Sequence, residues 1–193
     1  MQLILKRERS VIAVPALFLD RDGIINIDYG HVGTRDRFRF TDNIFSLVIA
    51  ANALGYVVVV VTNQAGIGRG LYTLDEFKKL SGWMCQKCED NGAKIDALYF
   101  SPFHPTLGQG SYLLDEGTRK PKPGMIFEAV LDLNINLEKS VMVGDNISDM
   151  QAAITAGIPN NFLLASGRNL DVPTYFEGKV KIVSSLFEII PEL

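Results

Sequence analysis

With 193 residues, the chain is long enough to bury the core of one α/β domain and short for two. Its composition, 47% hydrophobic and 21% charged with a formal net charge of −3, gives no basis for general affinity toward nucleic acid or anionic membrane. No apolar run approaches the roughly 18–20 residues of a spanning helix, so a cytoplasmic protein without a membrane partner is expected.

The first ten residues carry Lys6, Arg7 and Arg9 ahead of the apolar Val11 to Ala13, a superficial likeness to a secretory leader. That run continues through Pro15, with no separate cleavage region, into Ala16-Leu17-Phe18-Leu19. These four residues read as a buried strand ending at Asp20. A helix is predicted over Asp42 to Leu54, where Ile44, Leu47, Val48 and Ala51 recur at helical spacing and Gly55 supplies the stop. Val57 to Val61 predicts a second strand, followed by Thr62-Asn63. Thr73-Leu-Asp-Glu76 fits a capping box opening a helix that ends at Asn91-Gly92. Inside that helix Cys85 and Cys88 have C-x-x-C spacing. No second Cys or His pair completes a zinc site, so at least one thiol is expected simply to pack inward.

Ile95 to Phe100 predicts the next strand. Ser101 to Pro123 is the long irregular stretch, and a loop of this length in a compact domain is more often functional than idle. Tyr112, Leu113 and Leu114 are its expected apolar anchors, with Pro102 and Pro105 limiting freedom at its start. Pro123 suits the first turn of a helix running to Leu133. Val141 to Val143 leads into Gly144-Asp145, a helix over Ile147 to Ala156 stops at Gly157-Ile-Pro159, and Phe162 to Leu164 predicts a further strand. Continuous aliphatic runs of this kind fit strands buried on both faces. Their alternation with helices predicts an α/β fold with a doubly wound, mainly parallel sheet, as a single domain over 1–193.

In such a sheet ligands bind beyond the carboxyl ends of the strands. The polar residues there are Asp20 and Asp22, Thr62 and Asn63, Lys120 after the long loop, and Asp145 with Asp149. One Asp after a strand is usually a turn or cap residue; the joint pattern is what points to chemistry. Several carboxylates at one sheet edge would repel without a cation, and hard oxygen ligands select magnesium. Thr62 can hydrogen-bond phosphoryl oxygens, and Lys120 can neutralise the charge spread over them in phosphoryl transfer.

The ordered set Asp-x-Asp-Gly, strand-Thr-Asn, Lys and Gly-Asp-x-x-x-Asp resembles the haloacid dehalogenase superfamily of phosphatases. More narrowly, FLDRDGIIN, VVTNQAGIGRG, RKPKPGM and VGDNISDMQAA are similar to the D-glycero-D-manno-heptose 1,7-bisphosphate phosphatases and their histidinol-phosphatase relatives. The likeness runs from about Pro15 to Gly167. It implies a Rossmann-like fold with a minimal loop cap, acting on a small sugar phosphate in nucleotide-activated heptose biosynthesis for lipopolysaccharide or capsule; a monomer is expected. By resemblance, Asp20 is the nucleophile that forms an aspartyl phosphate. Asp22 protonates the leaving oxygen and then deprotonates water. Magnesium is held by the Asp20 carboxylate, the Asp22 main-chain carbonyl and the Asp145 carboxylate. Thr62 and Lys120 hold the phosphoryl group, and Asp149 orients Lys120. Asp28, Tyr29, Gly30 and His31, the loop Thr62, Asn63, Gln64 and Ala65, and Arg119 with Asn146 match substrate-contacting positions.

The chain also departs from that pattern. Ile24 replaces the usual Thr after Asp-x-Asp-Gly. Where relatives commonly carry Cys-x-His and Cys-x-Cys around a structural zinc, this chain has Ser101, Phe103, Glu116 and Thr118, so no zinc is expected. His104 then reads as a solvated or hydrogen-bonded loop histidine. The alternatives are a phosphatase for histidinol phosphate or another small metabolite and, from a different class, a phospho-acceptor receiver-like signalling module. Asp22 argues against the module, because it supplies the acid–base function that turns over a phosphoenzyme.

Overall fold

Phe18 and Leu17 point to opposite faces of one strand, and both are fully buried in the computed structural model. The structure describes residues 2–4, 12–165 and 173–193; the cationic stretch 5–11 and Ser166-Gly167 lie outside them. Among the described residues seven strands form one sheet: β1 (Gln2–Ile4), β2 (Ala16–Leu19), β3 (Val57–Asn63), β4 (Ala97–Ser101), β5 (Val141–Gly144), β6 (Asn160–Leu164) and β7 (Lys181–Val183). Their order is β1-β4-β3-β2-β5-β6-β7. All neighbours are parallel except β1, which lies antiparallel against β4.

Leu17, Leu19, Val58, Val60 and Phe100 pack on one face, under helices α1 (Ile44–Ala53) and α3 (Leu74–Asp90). Phe18, Val57, Val59, Tyr99 and Met142 pack on the other, under α4 (Gly124–Leu133) and α5 (Ile147–Ala156). Burial on both faces is why the strands read as unbroken apolar runs. Each fully buried Leu, Val or Phe contributes roughly 1.5–3 kcal/mol of transfer free energy. The expected capping box at α3 is present, with Glu76 N donating to Thr73 Oγ1 at 3.1 Å and Thr73 N to Glu76 Oε2 at 2.6 Å. Cys85 and Cys88 are both buried on α3, and burial pushes both thiols up to about 12, far from the thiolate that redox or metal chemistry needs.

Two expectations need correction, and two short strands are additions. Strands β1 and β7 were not legible, because three residues are too few to display a period and β7 leaves Lys181 and Ile182 exposed. Pro123 lies just outside α4, at its N-cap, rather than in the first turn. Of the expected loop anchors only Tyr112 packs inward; Leu113 and Leu114 are about half exposed, at 52% and 49%. Tyr112 stacks on Phe103 with ring centroids 5.9 Å apart and lies against Gly68, where an added Cβ would fall 2.8 Å from the Tyr112 Cβ. The loop passes over the end of the sheet as a single layer, so only its inward side chains find partners.

The chain leaves β2 toward β3 and β4 on one side and returns through β5, β6 and β7 on the other. The carboxyl ends of β2, β3 and β5 therefore border the point where strand order reverses, the preferred ligand crevice of an open α/β sheet.

Candidate active site

Asp20 follows the last residue of β2, and the chain turns sharply there. The Arg21 carbonyl accepts from Ile25 N at 2.8 Å and Asn26 N at 3.1 Å. Gly23 makes this turn possible with φ +89°, and its missing side chain admits Asp145: an added Cβ would lie 2.1 Å from Asp145 Oδ2. Asp145 follows β5, and Asp149 projects from the first turn of α5. Gly144 plays the same spatial part for Asp149, with 2.4 Å between a hypothetical Cβ and that side chain.

Lys120 joins these groups. Its ammonium lies 2.9 Å from Asp20 Oδ1 and 2.7 Å from Asp149 Oδ1, and it donates to the Val61 carbonyl at 2.7 Å. Three donors are thus matched by three acceptors in a buried place, which is what makes a buried cation tolerable. Asn63 grips the Lys120 backbone in both directions, its Nδ2 donating to the Lys120 carbonyl at 2.9 Å and its Oδ1 accepting from Lys120 N at 3.0 Å. Asn63, which also borders the cavity over this cluster, thus holds the lysine in place. Asp149 Oδ2 accepts from Asn146 N at 3.0 Å, so Asp149 caps α5 and orients Lys120 at once.

Burial pushes the Asp20 carboxyl up to about 7 against the pull of Lys120, with Asp149 and Asp22 adding to the rise. Burial lowers the Lys120 ammonium, but Asp149 and Asp20 outweigh it and its pKa ends raised. Asp22 behaves differently. Burial would raise it, yet the Arg21 charge and hydrogen bonds from Arg21, Asn26 and Gln64 bring it below the ordinary carboxylate value. Arg21 Nη2 reaches Asp22 Oδ1 and Oδ2 at 2.8 Å each, and Asn26 Nδ2 donates to Oδ1 at 3.0 Å.

A cavity of about 640 Å³ opens over this cluster. It is lined by buried Thr62, Lys120 and Asp145 and by the more exposed His31, His104 and Arg119. Asp28, Gly30, Asn63, Gln64 and Asn146 also border it. Tyr29 and Ala65 do not: the Tyr29 side chain is exposed with its carbonyl accepting from Arg37 Nη2 at 2.9 Å, and Ala65 is buried at the start of the short helix α2 (Ala65–Gly68). Tyr72, His104, Pro105 and Ser148 border the cavity without having been expected there. Ser148 lies within the last acidic motif; nothing in the sequence signals Tyr72.

Asp20, Asp145 and Asp149 each place a carboxylate oxygen within 4.8 Å of the others. Asp149 is engaged by Lys120 and the α5 backbone, so Asp20 and Asp145 suit a cation best. One lysine does not balance three carboxylates, and an all-oxygen donor set fits a hard divalent ion.

Residues 117–175 match the HAD-hyrolase-like family model. The D-glycero-alpha-D-manno-heptose-1,7-bisphosphate 7-phosphatase of Burkholderia mallei is 52% identical over 149 residues, 77% of this chain and 79% of that protein. The D-glycero-beta-D-manno-heptose-1,7-bisphosphate 7-phosphatase of Vibrio cholerae is 44% identical, over 81% of this chain and 84% of that protein. The chain belongs to the heptose-1,7-bisphosphate 7-phosphatase family. The fold agrees: a crystal structure of D,D-heptose 1,7-bisphosphate phosphatase from B. bronchiseptica, complexed with magnesium and phosphate, superposes with a TM-score of 0.79 at 24% identity, covering 93% of this chain and 97% of that one.

In this heptose bisphosphate phosphatase homologue, three of the four positions where the resemblance would place zinc ligands make ordinary contacts within the long loop. Phe103 stacks on Tyr112, and the Glu116 carboxylate accepts from the Thr118 backbone at 2.7 Å and from its hydroxyl. Ser101 is buried on β4 with no hydrogen-bond partner for its hydroxyl among the described residues. Arg119 Nη1 donates to the Phe103 carbonyl at 3.1 Å, tying the loop's two ends together. His104 Nδ1 accepts from Thr106 N at 3.2 Å and Leu107 N at 3.1 Å, which leaves the proton on Nε2. Burial, then Arg119 and Arg69, lower its pKa and favour that neutral form. Arg69 Nη1 in turn donates to His31 Nε2 at 2.8 Å.

Proposed function

We propose that this chain removes the 7-phosphate from D-glycero-D-manno-heptose 1,7-bisphosphate through an aspartyl phosphate on Asp20. The observation that carries this is Lys120, bridging Asp20 and Asp149 beside Asp145 where β2, β3 and β5 end. Asp20 attacks phosphorus in line while Lys120 and the Thr62 hydroxyl hold the phosphoryl oxygens. The Asp20 carboxylate, the Asp22 carbonyl and the Asp145 carboxylate would hold magnesium, which would supply the charge neutralisation that lets an anionic nucleophile meet an anionic phosphate. Asp22 gives its proton to the departing sugar oxygen and then takes one from the water that hydrolyses the phosphoenzyme. Its ion pair with Arg21 favours the ionised form, the form that takes up a proton in the second step. A phosphate dianion arriving beside it raises its pKa and so favours the acid form for the first.

The names of the relatives favour a heptose bisphosphate over histidinol phosphate, and the family excludes the signalling-module alternative. Under this proposal one domain over 1–193 acts as a monomer on a free metabolite in the cytoplasm, with no nucleic-acid or membrane partner. Among the described residues no helix is long and apolar enough to cross a membrane. A side-by-side assay of both anomers of heptose 1,7-bisphosphate, histidinol phosphate and simple sugar phosphates tests the substrate. A clear preference for histidinol phosphate would overturn the assignment.

Arg119 is the candidate for recognising the second anionic group, since it borders the cavity next to Lys120 without touching the carboxylate cluster. Its planar fork suits such a contact. Arg119→Ala is expected to lower kcat/KM for the bisphosphate 10–100-fold more than for an aryl phosphate, the cost of one charge-assisted hydrogen bond of about 1.5–3 kcal/mol. An equal fall for both substrates would mean that Arg119 supports the core site instead.

For metals, chelation is expected to abolish turnover and magnesium to restore it, while calcium, which prefers more ligands at longer distances, inhibits. Elemental analysis of the purified protein should find no stoichiometric zinc. One retained zinc per chain would show that the loop is ordered by a metal after all.

A further inference from the structure

Tyr72 is the most deliberately seated side chain near the site that the proposed reaction does not use. Its ring is buried, at 9% exposure, in a slot made by two glycines. A Cβ at Gly33 would lie 2.6 Å from the ring, and one at Gly66 would lie 2.5 Å from it. A phenylalanine would fill that slot equally well, so packing does not explain the hydroxyl. The hydroxyl donates to Gln64 Oε1 at 2.6 Å. Burial pushes the phenol up to about 12, so it remains a donor throughout the working pH range.

Gln64 is itself buried, at 1% exposure, and its Nε2 donates at 2.9 Å both to Asp22 Oδ2 and to Thr62 Oγ1. The assignment of these atoms is forced. Asp22, ion-paired with Arg21 at 2.8 Å, offers only acceptors, so the amide nitrogen must face it. The oxygen then faces Tyr72, whose hydroxyl must donate. Thr62 must accept from the same nitrogen, so its own proton is released toward another partner. Among the described residues no acceptor takes that proton, and Thr62 borders the cavity.

We propose that Tyr72 is a positioning residue for phosphoryl transfer: its hydroxyl fixes the Gln64 amide, which both holds Asp22 and commits the Thr62 hydroxyl to donate to the phosphate. This rests on the roles of Asp22 and Thr62 proposed above. The amide makes two contacts to reacting groups from one buried nitrogen, so a rotation about its last torsion would disturb both. The Tyr72 hydroxyl is the contact that opposes that rotation from the far side.

A double-mutant cycle tests it, with kcat and KM measured on heptose 1,7-bisphosphate and on an aryl phosphate. Tyr72→Phe keeps the ring in its slot and is expected to lower kcat about 5–10-fold, the size of one lost hydrogen bond, with KM within about twofold. Gln64→Met keeps the volume and is expected to lower kcat about 10–30-fold, because two contacts go. If Tyr72 acts through Gln64, adding Tyr72→Phe to Gln64→Met changes kcat by less than about twofold. Effects that multiply in the double variant would show a merely structural tyrosine, as would wild-type kcat in Tyr72→Phe; either result overturns the proposal. Gln64→Leu replaces Gln64→Met if the latter does not fold. Asp20→Asn, assayed alongside, separates the two levels: if it is inactive while Tyr72→Phe is normal, the relay alone fails. If Asp20→Asn turns over normally, the nucleophile assignment fails first.

Discussion

Asp20→Asn is expected to abolish turnover, by about 10⁴-fold or more, while leaving the fold intact. An amide cannot attack phosphorus as a carboxylate does, and loss of the nucleophile in covalent catalysis costs on the order of 10⁴–10⁶ in kcat. The fold should tolerate the change because the substitution is isosteric and Lys120 retains Asp149 and the Val61 carbonyl as acceptors. Burial already opposes the charge on Asp20, so removing it also relieves a desolvation cost. A circular-dichroism melt beside the activity assay gives both readouts. Near-normal turnover would rule out Asp20 as the nucleophile.

Lys120→Met should be the variant that damages activity and stability together. Methionine has a similar length but leaves Asp20 and Asp149, with side chains 13% and 1% exposed, without their shared cation. Breaking a buried ion pair from one side typically costs about 3–5 kcal/mol. In a protein of this size that corresponds to a fall in Tm of roughly 6–20 °C. Turnover should fall at least about 10²–10³-fold, since a positioned donor at the transferring group is lost. Magnesium should recover part of the melting temperature by replacing one charge, but not the activity. A Lys120→Met protein that melts like wild type would mean that the carboxylates are neutralised by something other than this lysine.

The contrast between these two variants follows from placement. Asp20 and Lys120 are a hundred residues apart in sequence, and no periodicity brings them together. They meet because β2 and β3 are adjacent and because Asn63, next to Thr62 at the end of β3, holds the Lys120 backbone in a two-way hydrogen bond. Motif resemblance marked Asn63 as a substrate contact. In the structure Asn63 borders the cavity and also holds the Lys120 backbone, a second task that a linear motif does not reveal.

By itself, the sequence determined the central strands, the four long helices, the capping box at Thr73 and an inward-facing cysteine on the helix that follows. These depend on interactions between near neighbours and on apolar runs that need no knowledge of partners. It also determined which residue types end the strands, and hence the acidic cluster and its lysine. Only the tertiary structure decided what those residues touch. It paired Asp22 with Arg21 and Gln64, engaged Asn63 with Lys120, and left Leu113 and Leu114 without a layer to pack against. It added the short edge strands, whose three residues carry no readable period, and it seated Tyr72 between nearby Gly66 and distant Gly33. Apart from the Arg21–Asp22 pair, these contacts join groups distant in the chain or depend on space left by absent side chains, neither of which is written in local spacing.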